Sequence, residues 1–174
     1  GPESPSEEVK RAMMRMITFA EKRVYLQTPY FVPDRSIVES LKMAVQSGVD
    51  VRIMIPHMPD HIFVYWATYS YVGELLRSGA RAFIYDDGFL HAKTLVVDGE
   101  VCTVGSTNFD NRSFRLNFET NAFIFDSDFS SQMEAAFLHD MTRHGHELTY
   151  EDYKRRGLLI RVKEAFSRLL SDIL

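Results

Sequence analysis

The run VDVRIMIP, residues 49–56, ends in an unbroken apolar stretch and is flanked on both sides by helix-length segments. It reads as a buried strand. Upstream, Ile37, Leu41, Ala44 and Val45 recur at helical spacing behind an S-x-x-E capping box at Ser36 and Glu39, and Gly48 stops the helix. Downstream, IFVYWATYSYVGELLR (62–77) is too long and too evenly apolar for a strand, so it reads as a largely buried helix stopped near Gly79. Strand and helix periods in alternation predict an α/β domain, a mixed central β-sheet of about six strands flanked by helices.

The remaining segments fit that plan. Ser6, Glu7 and Glu8 open a helix with Val9, Met13, Ile17 and Ala20 at helical spacing, and KRVYLQTPYF then reads as one strand ending at Pro33. ARAFIY is the next strand. LHAKTLVVD and VCTVGS form a hairpin around Asp98-Gly99, FETNAFIF is a further strand, and residues 127–143 form a helix. The 174 residues suit one domain over 1–150, with an amphipathic C-terminal helix over 151–174.

Charge narrows the partners. Twenty Lys and Arg against 24 Asp and Glu give −4, which argues against a broad basic face for nucleic acid. The tail is different: Lys154, Arg155, Arg156, Arg161, Lys163 and Arg168 against Glu164 and Asp172 make residues 154–174 +4, leaving −8 for the rest. The one cysteine, Cys102, excludes an internal disulfide and reads as a small buried hydrophobe. No apolar run approaches about 18 residues, so this segment is expected to be soluble and not to cross a membrane by itself. GPESPSEE is a polar, proline-bearing lead-in of the kind that links parts of a longer protein.

Chemistry concentrates in HAKTLVVDGEVCTVGSTN, residues 91–108. On a strand His91 and Lys93 point the same way, and Ser106 and Asn108 share parity just past the return strand. Gly105 there allows close backbone approach to a ligand. A nucleophile or base, a fixed cation, a hydroxyl and an amide make a cradle for phosphate. Asp98, at an odd offset from His91 and in the turn, has a structural role by default. Glu119 is the better partner for the His91 imidazole, holding one ring nitrogen and freeing the other to attack.

His91-x-Lys93-x4-Asp98, then six residues and Gly105-Ser106-x-Asn108, resembles the HKD motif of the phospholipase D superfamily. Glu119 matches the glutamate that supports the family's histidine. TPYFVPD (28–34), the stretch from MPDHIFVYWA to GFLHAK (58–93), and NFDNRSFRLNFETN (108–121) are similar to the C-terminal catalytic half of bacterial cardiolipin synthases. The resemblance implies a phospholipase D-like fold and catalytic roles for His91, Lys93, Asp98 and Glu119, with Ser106 and Asn108 on the phosphate. It also implies phosphatidyl transfer between two phosphatidylglycerol molecules through a phosphohistidine, with glycerol released. No metal or other cofactor is called for, because one phosphodiester is exchanged for another. It further implies a parent enzyme at the cytoplasmic side of the bacterial inner membrane, anchored by parts outside this chain. The family site uses two such motifs and one is present here, so either an upstream half or a second copy completes it, the upstream half being favoured. Whether His91 attacks or acts as acid and base stays open. A phosphodiesterase or nuclease, and a half-site inactive alone, are the alternatives.

Other residues have blander readings. His57 and His61, four apart but separated by Pro59, are expected in a loop near the substrate mouth. His144 and His146 show no carboxylate pattern in sequence and read as solvated helix-end residues. Tyr65, Trp66, Tyr69 and Tyr71 are expected in the core, while Arg112 and Arg115 suit either a headgroup phosphate or a structural ion pair. In the tail, Leu159, Val162, Phe166, Leu169, Leu170 and Ile173 recur at helical spacing. The helix either docks on the domain or lies at an anionic lipid interface, with peripheral membrane contact.

Overall fold

The computed structural model describes residues 7–58 and 60–170. Nine strands and seven helices are described, in the order α1 (Glu8–Thr18), β1 (Arg23–Gln27), β2 (Phe31–Val32), α2 (Arg35–Gln46), β3 (Asp50–Pro56), α3 (Ile62–Arg77) and β4 (Arg81–Tyr85). There follow β5 (Thr94–Val97), β6 (Val101–Gly105), β7 (Phe109–Asp110), α4 (Asn111–Arg115), β8 (Asn121–Ile124), α5 (Ser127–Arg143), β9 (Gly145–Leu148), α6 (Tyr150–Lys154) and α7 (Leu158–Leu169). The main sheet has seven strands in the order β8-β6-β5-β1-β3-β4-β9, one more than the sequence pattern indicates. The extra strand is β9, whose polar GHEL pairs antiparallel with β4 and carries no apolar run to announce it. β1, β3 and β4 are mutually parallel, and the outer strands are antiparallel.

Alternating side chains divide the core between the two faces. Val24, Leu26, Val51, Ile53, Ala82, Ile84, Leu95 and Val97 face α1, α2 and α3, packing with Met13, Ile17, Ile37, Leu41, Val72 and Leu75. Tyr25, Met54 and Phe83 face the other way and pack with Leu90 and with Phe137 of α5. Cys102 is fully buried in the sheet. VDVRIMIP is β3, central in the sheet and covered on both faces, which is why its second half is apolar without alternation.

Local signals differ from expectation at four places. The KRVYLQTPYF strand breaks after Gln27, where Thr28 turns its hydroxyl onto the Tyr30 carbonyl and Pro29 has no N–H for a ladder. Its end, β2, instead pairs with β7 in a separate two-stranded sheet. The N-cap of α2 is Asp34, which accepts from the Ile37 N–H at 3.2 Å, while Ser36 donates to Asp34 at 2.6 Å and Glu39 pairs with Lys42. The cap of α1 is Glu7, and Ser6 lies outside the described residues. Finally, the tail is two helices separated at Gly157, and both pack on α3.

α7 docks through its polar side. Glu164 and Ser167 are buried, Arg168 pairs with Glu74 and lies over the Tyr71 ring, and Arg156 pairs with Glu164 against the rings of Trp66, Tyr69 and Tyr153. Tyr69 and Tyr71 are core as expected, whereas Trp66 is half-buried and serves as a platform for Arg156 and Lys163. No described helix is long and apolar enough to cross a membrane.

Candidate active site

The site forms at the carboxyl ends of the parallel strands. Thr94, the first residue of β5, pairs with Gln27, the last of β1, so the HAK segment lies just beyond that edge. Ligand sites on open α/β sheets gather at this edge, because loops leave the strands there and diverge. His91, Ala92 and Lys93 precede β5 and do not belong to its ladder. His91 is exposed and its ring lies 5.8 Å from that of Phe89, while Lys93 is buried. The Lys93 ammonium donates to the His91 carbonyl at 3.0 Å, which joins the two residues despite their different burial.

Lys93 is held in an acidic setting. Burial lowers its pKa, opposed by the charges of Glu119, Asp110 and Asp60. Asp110 is itself buried, and burial pushes its pKa up, against the Ser113 N–H that donates to it at 2.6 Å. An open cleft of about 600 Å³ lies beside these groups, lined by residues that include Tyr30, Asp60, His61, Asn108, Asp110 and Arg112. Tyr30 donates to Asp60 across it, and His61, at the N-cap position of α3 without a side-chain capping bond, also lines it. His57 is exposed in the loop after β3, and Pro59 lies outside the described residues.

The other motif residues divide by role. Asn108 lines the cleft, and its Oδ1 and the Thr107 hydroxyl are buried without a hydrogen-bond partner among the described residues. Ser106 bridges to the chain leading into β8: its Oγ accepts from the Thr120 N–H at 3.0 Å. Glu119 precedes β8, accepts from Ser113 Oγ at 3.1 Å and from Asn117 at 3.2 Å, and acts electrostatically on Lys93. Gly105 serves the protein rather than a ligand, since a Cβ there would collide with the Thr120 carbonyl and Asn121.

Asp98 stands at the far end of β5, in the turn, with φ of 57°. Its carboxylate accepts from the N–H groups of Glu21, Lys22 and Arg23 at 2.8, 2.8 and 2.7 Å. Burial would raise its pKa, but these three donors outweigh that and hold it below the usual carboxylate value. The motif aspartate therefore anchors backbone in this structure, the structural role that its place in the turn suggests. Of the two arginines, Arg112 lines the cleft and Arg115 pairs with Glu7 and Asp34. Asp60, Asp110 and Tyr30 are site residues that the motif does not announce. The clue to Asp110 is its position two residues past Asn108, and Asp60 has no signal of its own in the sequence.

The family model for "Cardiolipin synthase, PLD-like domain" matches residues 13–141. The chain belongs to this family. A cardiolipin synthase of Listeria monocytogenes is 56% identical over all 174 residues, and the major cardiolipin synthase of Bacillus subtilis is 52% identical over the same span. The chain covers 36% of the length of each of these relatives. Among solved structures, a phosphatidylserine synthase from Haemophilus influenzae superposes with a TM-score of 0.78 at 17% identity, covering all of this chain and 46% of that one. Nuc from Salmonella typhimurium, a phospholipase D family member, gives 0.71 at 21% identity, covering 84% of this chain and 94% of that one. These likenesses establish the phospholipase D-like α/β fold.

Proposed function

We propose that this domain supplies one half of a cardiolipin synthase active site. The observation that carries the reading is 56% identity over the whole chain to a protein of that name, with the His91–Lys93 motif intact. One motif histidine attacks the phosphorus of phosphatidylglycerol and its P–O bond to glycerol breaks. The histidine of the facing half donates the proton that lets glycerol leave. The glycerol hydroxyl of a second phosphatidylglycerol then attacks, the P–N bond breaks, and its proton passes to the same facing histidine. His91 fills one of these two positions, Lys93 and Asn108 hold the phosphoryl oxygens, Ser106 supports the loop that carries Asn108, and Glu119, bonded to Ser113 and Asn117 rather than to His91, acts through its charge on Lys93. An upstream half of the parent chain provides the second motif.

The lipid approaches from the side that α7 presents. Leu158, Leu159, Val162, Phe166 and Leu169 are all more than half exposed, because the polar side of the helix is spent on α3. Exposed Arg161 and Lys163 flank this apolar stripe, and the pairing of apolar area with basic charge suits an anionic lipid surface. The parent enzyme works at the cytoplasmic side of the inner membrane, where such lipid is available.

The test is phosphatidylglycerol turnover with the product identified, on this chain alone and on a protein joining it to an upstream half, each beside His91→Ala. Cardiolipin from the longer protein, lost in the variant, is the expected result. Cardiolipin from neither protein would refute the reading, and cardiolipin from this chain alone would assign the second motif to a second copy.

A further inference from the structure

Four histidines and three aspartates gather where α5 ends against β4 and β9, and none of them lines the cleft. β9 turns back on β4, so His144 and His146 meet Asp87 and Asp86, neighbours that the sequence order hides. Their reading as merely solvated helix-end residues is thereby corrected. Within the group, His139, Asp140 and His144 bring one ligand atom each to within 4.8 Å of one another.

We propose that His139, Asp140 and His144 form a binding site for a divalent transition-metal cation of the zinc type, outside the reaction centre. Imidazole and carboxylate are the ligands such ions prefer, and bonds of about 2.0–2.1 Å put tetrahedral ligands about 3.4 Å apart.

Two features hold two of the three ligands, His144 and Asp140. Asp87 lies on Nδ1 of His144 at 2.9 Å, which orients the ring and leaves Nε2 for the ion, the usual carboxylate support of a metal-bound histidine. Asp140 accepts from Nε2 of buried Gln27 at 3.0 Å, and Gln27 in turn accepts from the Thr94 hydroxyl at 3.0 Å. The site also sits at the C-terminal end of α5, where the helix dipole favours a cation. Asp86, Asp87 and Asp140 add negative charge, and water completes the coordination.

Calorimetric titration of the metal-free chain with zinc chloride tests this, with cobalt(II) absorption as the geometric readout. One equivalent should bind, and the cobalt complex should show the intense visible bands of a four-coordinate site. His139→Ala and His144→Ala should each weaken binding at least 10-fold, and Asp87→Asn by about 10–100-fold through loss of ring orientation. His139 is an exposed side chain, so its variant folds normally, as a thermal melt without metal will verify. No saturable binding by about 100 µM zinc, or equal binding by the wild type and both histidine variants, would overturn the site. Loss on His61→Ala with retention in His144→Ala would place the ion in the cleft and equally refute it.

Discussion

Replacing Asp98 separates a structural from a catalytic role for the aspartate of the motif. Its carboxylate satisfies three consecutive backbone N–H groups between α1 and β1, and its backbone occupies the left-handed region that Asp and Asn tolerate better than Ala. Each hydrogen bond contributes about 0.5–1.5 kcal/mol net in this partly solvated position. Left-handed backbone adds about 1 kcal/mol for alanine. Asp98→Ala should therefore cost about 3–4 kcal/mol, whereas Asp98→Asn keeps the backbone preference and one acceptor oxygen and should cost about 1–2 kcal/mol. Urea unfolding at pH 7 measures both, and a slope of about 2 kcal/mol/M turns the alanine cost into a midpoint shift of about 1.5–2 M. The pH dependence supplies a second check. Because the folded pKa is depressed, the stabilisation is complete above the unfolded value of about 3.9 and is lost as pH falls through the lower folded value. The gap between wild type and Asp98→Asn should close over that acid range. Two variants as stable as wild type, yet catalytically dead when joined to the other half, would refute the anchoring argument.

Gly73→Ala should lower the melting temperature in a thermal scan, since its Cβ would collide with the Tyr153 ring and overpacking costs about 1–3 kcal/mol. His91→Ala should leave unfolding stability within about 0.5 kcal/mol in urea, because the ring is exposed, while abolishing turnover of the complete enzyme. Leu159→Asp with Phe166→Asp should reduce co-flotation with phosphatidylglycerol vesicles without changing the melting temperature, both side chains being exposed; unchanged flotation would remove α7 from the membrane contact. Inorganic phosphate affinity should fall as pH rises towards Lys93's lowered pKa, losing the ammonium before the usual lysine value of about 10.4, and calorimetry across that range will show it.

The parts of the fold legible in sequence are those with one strong local cause. The 62–77 helix is apolar on nearly every side, Gly48 and Gly79 have positive φ where their helices end, and Asp98-Gly99 turns the hairpin with both φ positive. The parts that escaped depend on distant partners. β9 is polar and exists because β4 offers an open edge, and Asp34 outcompetes Ser36 as a cap because its side chain accepts from the helix N–H while Ser36 bonds to it. The tail's amphipathic period is visible, but which face docks is not. Arg156 and Arg168 find aromatic rings and Glu74 on α3, and these contacts turn the polar side inward. In the cleft, the motif's spacing points to Asn108, whereas Asp60 and Tyr30 join it only through the loops after β1 and β3.

Charge bears on the proposal that a second half completes this site. The lysine that would meet a phosphate is already under the influence of Glu119, Asp110 and Asp60, and burial weakens its hold on its own proton. Burial pushes the pKa of Asp110 up, and Arg112 adds a cation on the cleft wall. Asp60, Asp110 and Glu119 offset Lys93 and Arg112, so an incoming phosphodiester finds little net positive charge on this half. A second lysine and a second histidine facing the cleft would tip that balance when the halves meet. On that arrangement the carboxylates keep the cations oriented in each half, and the full field for the transferred phosphoryl group arises from the assembly.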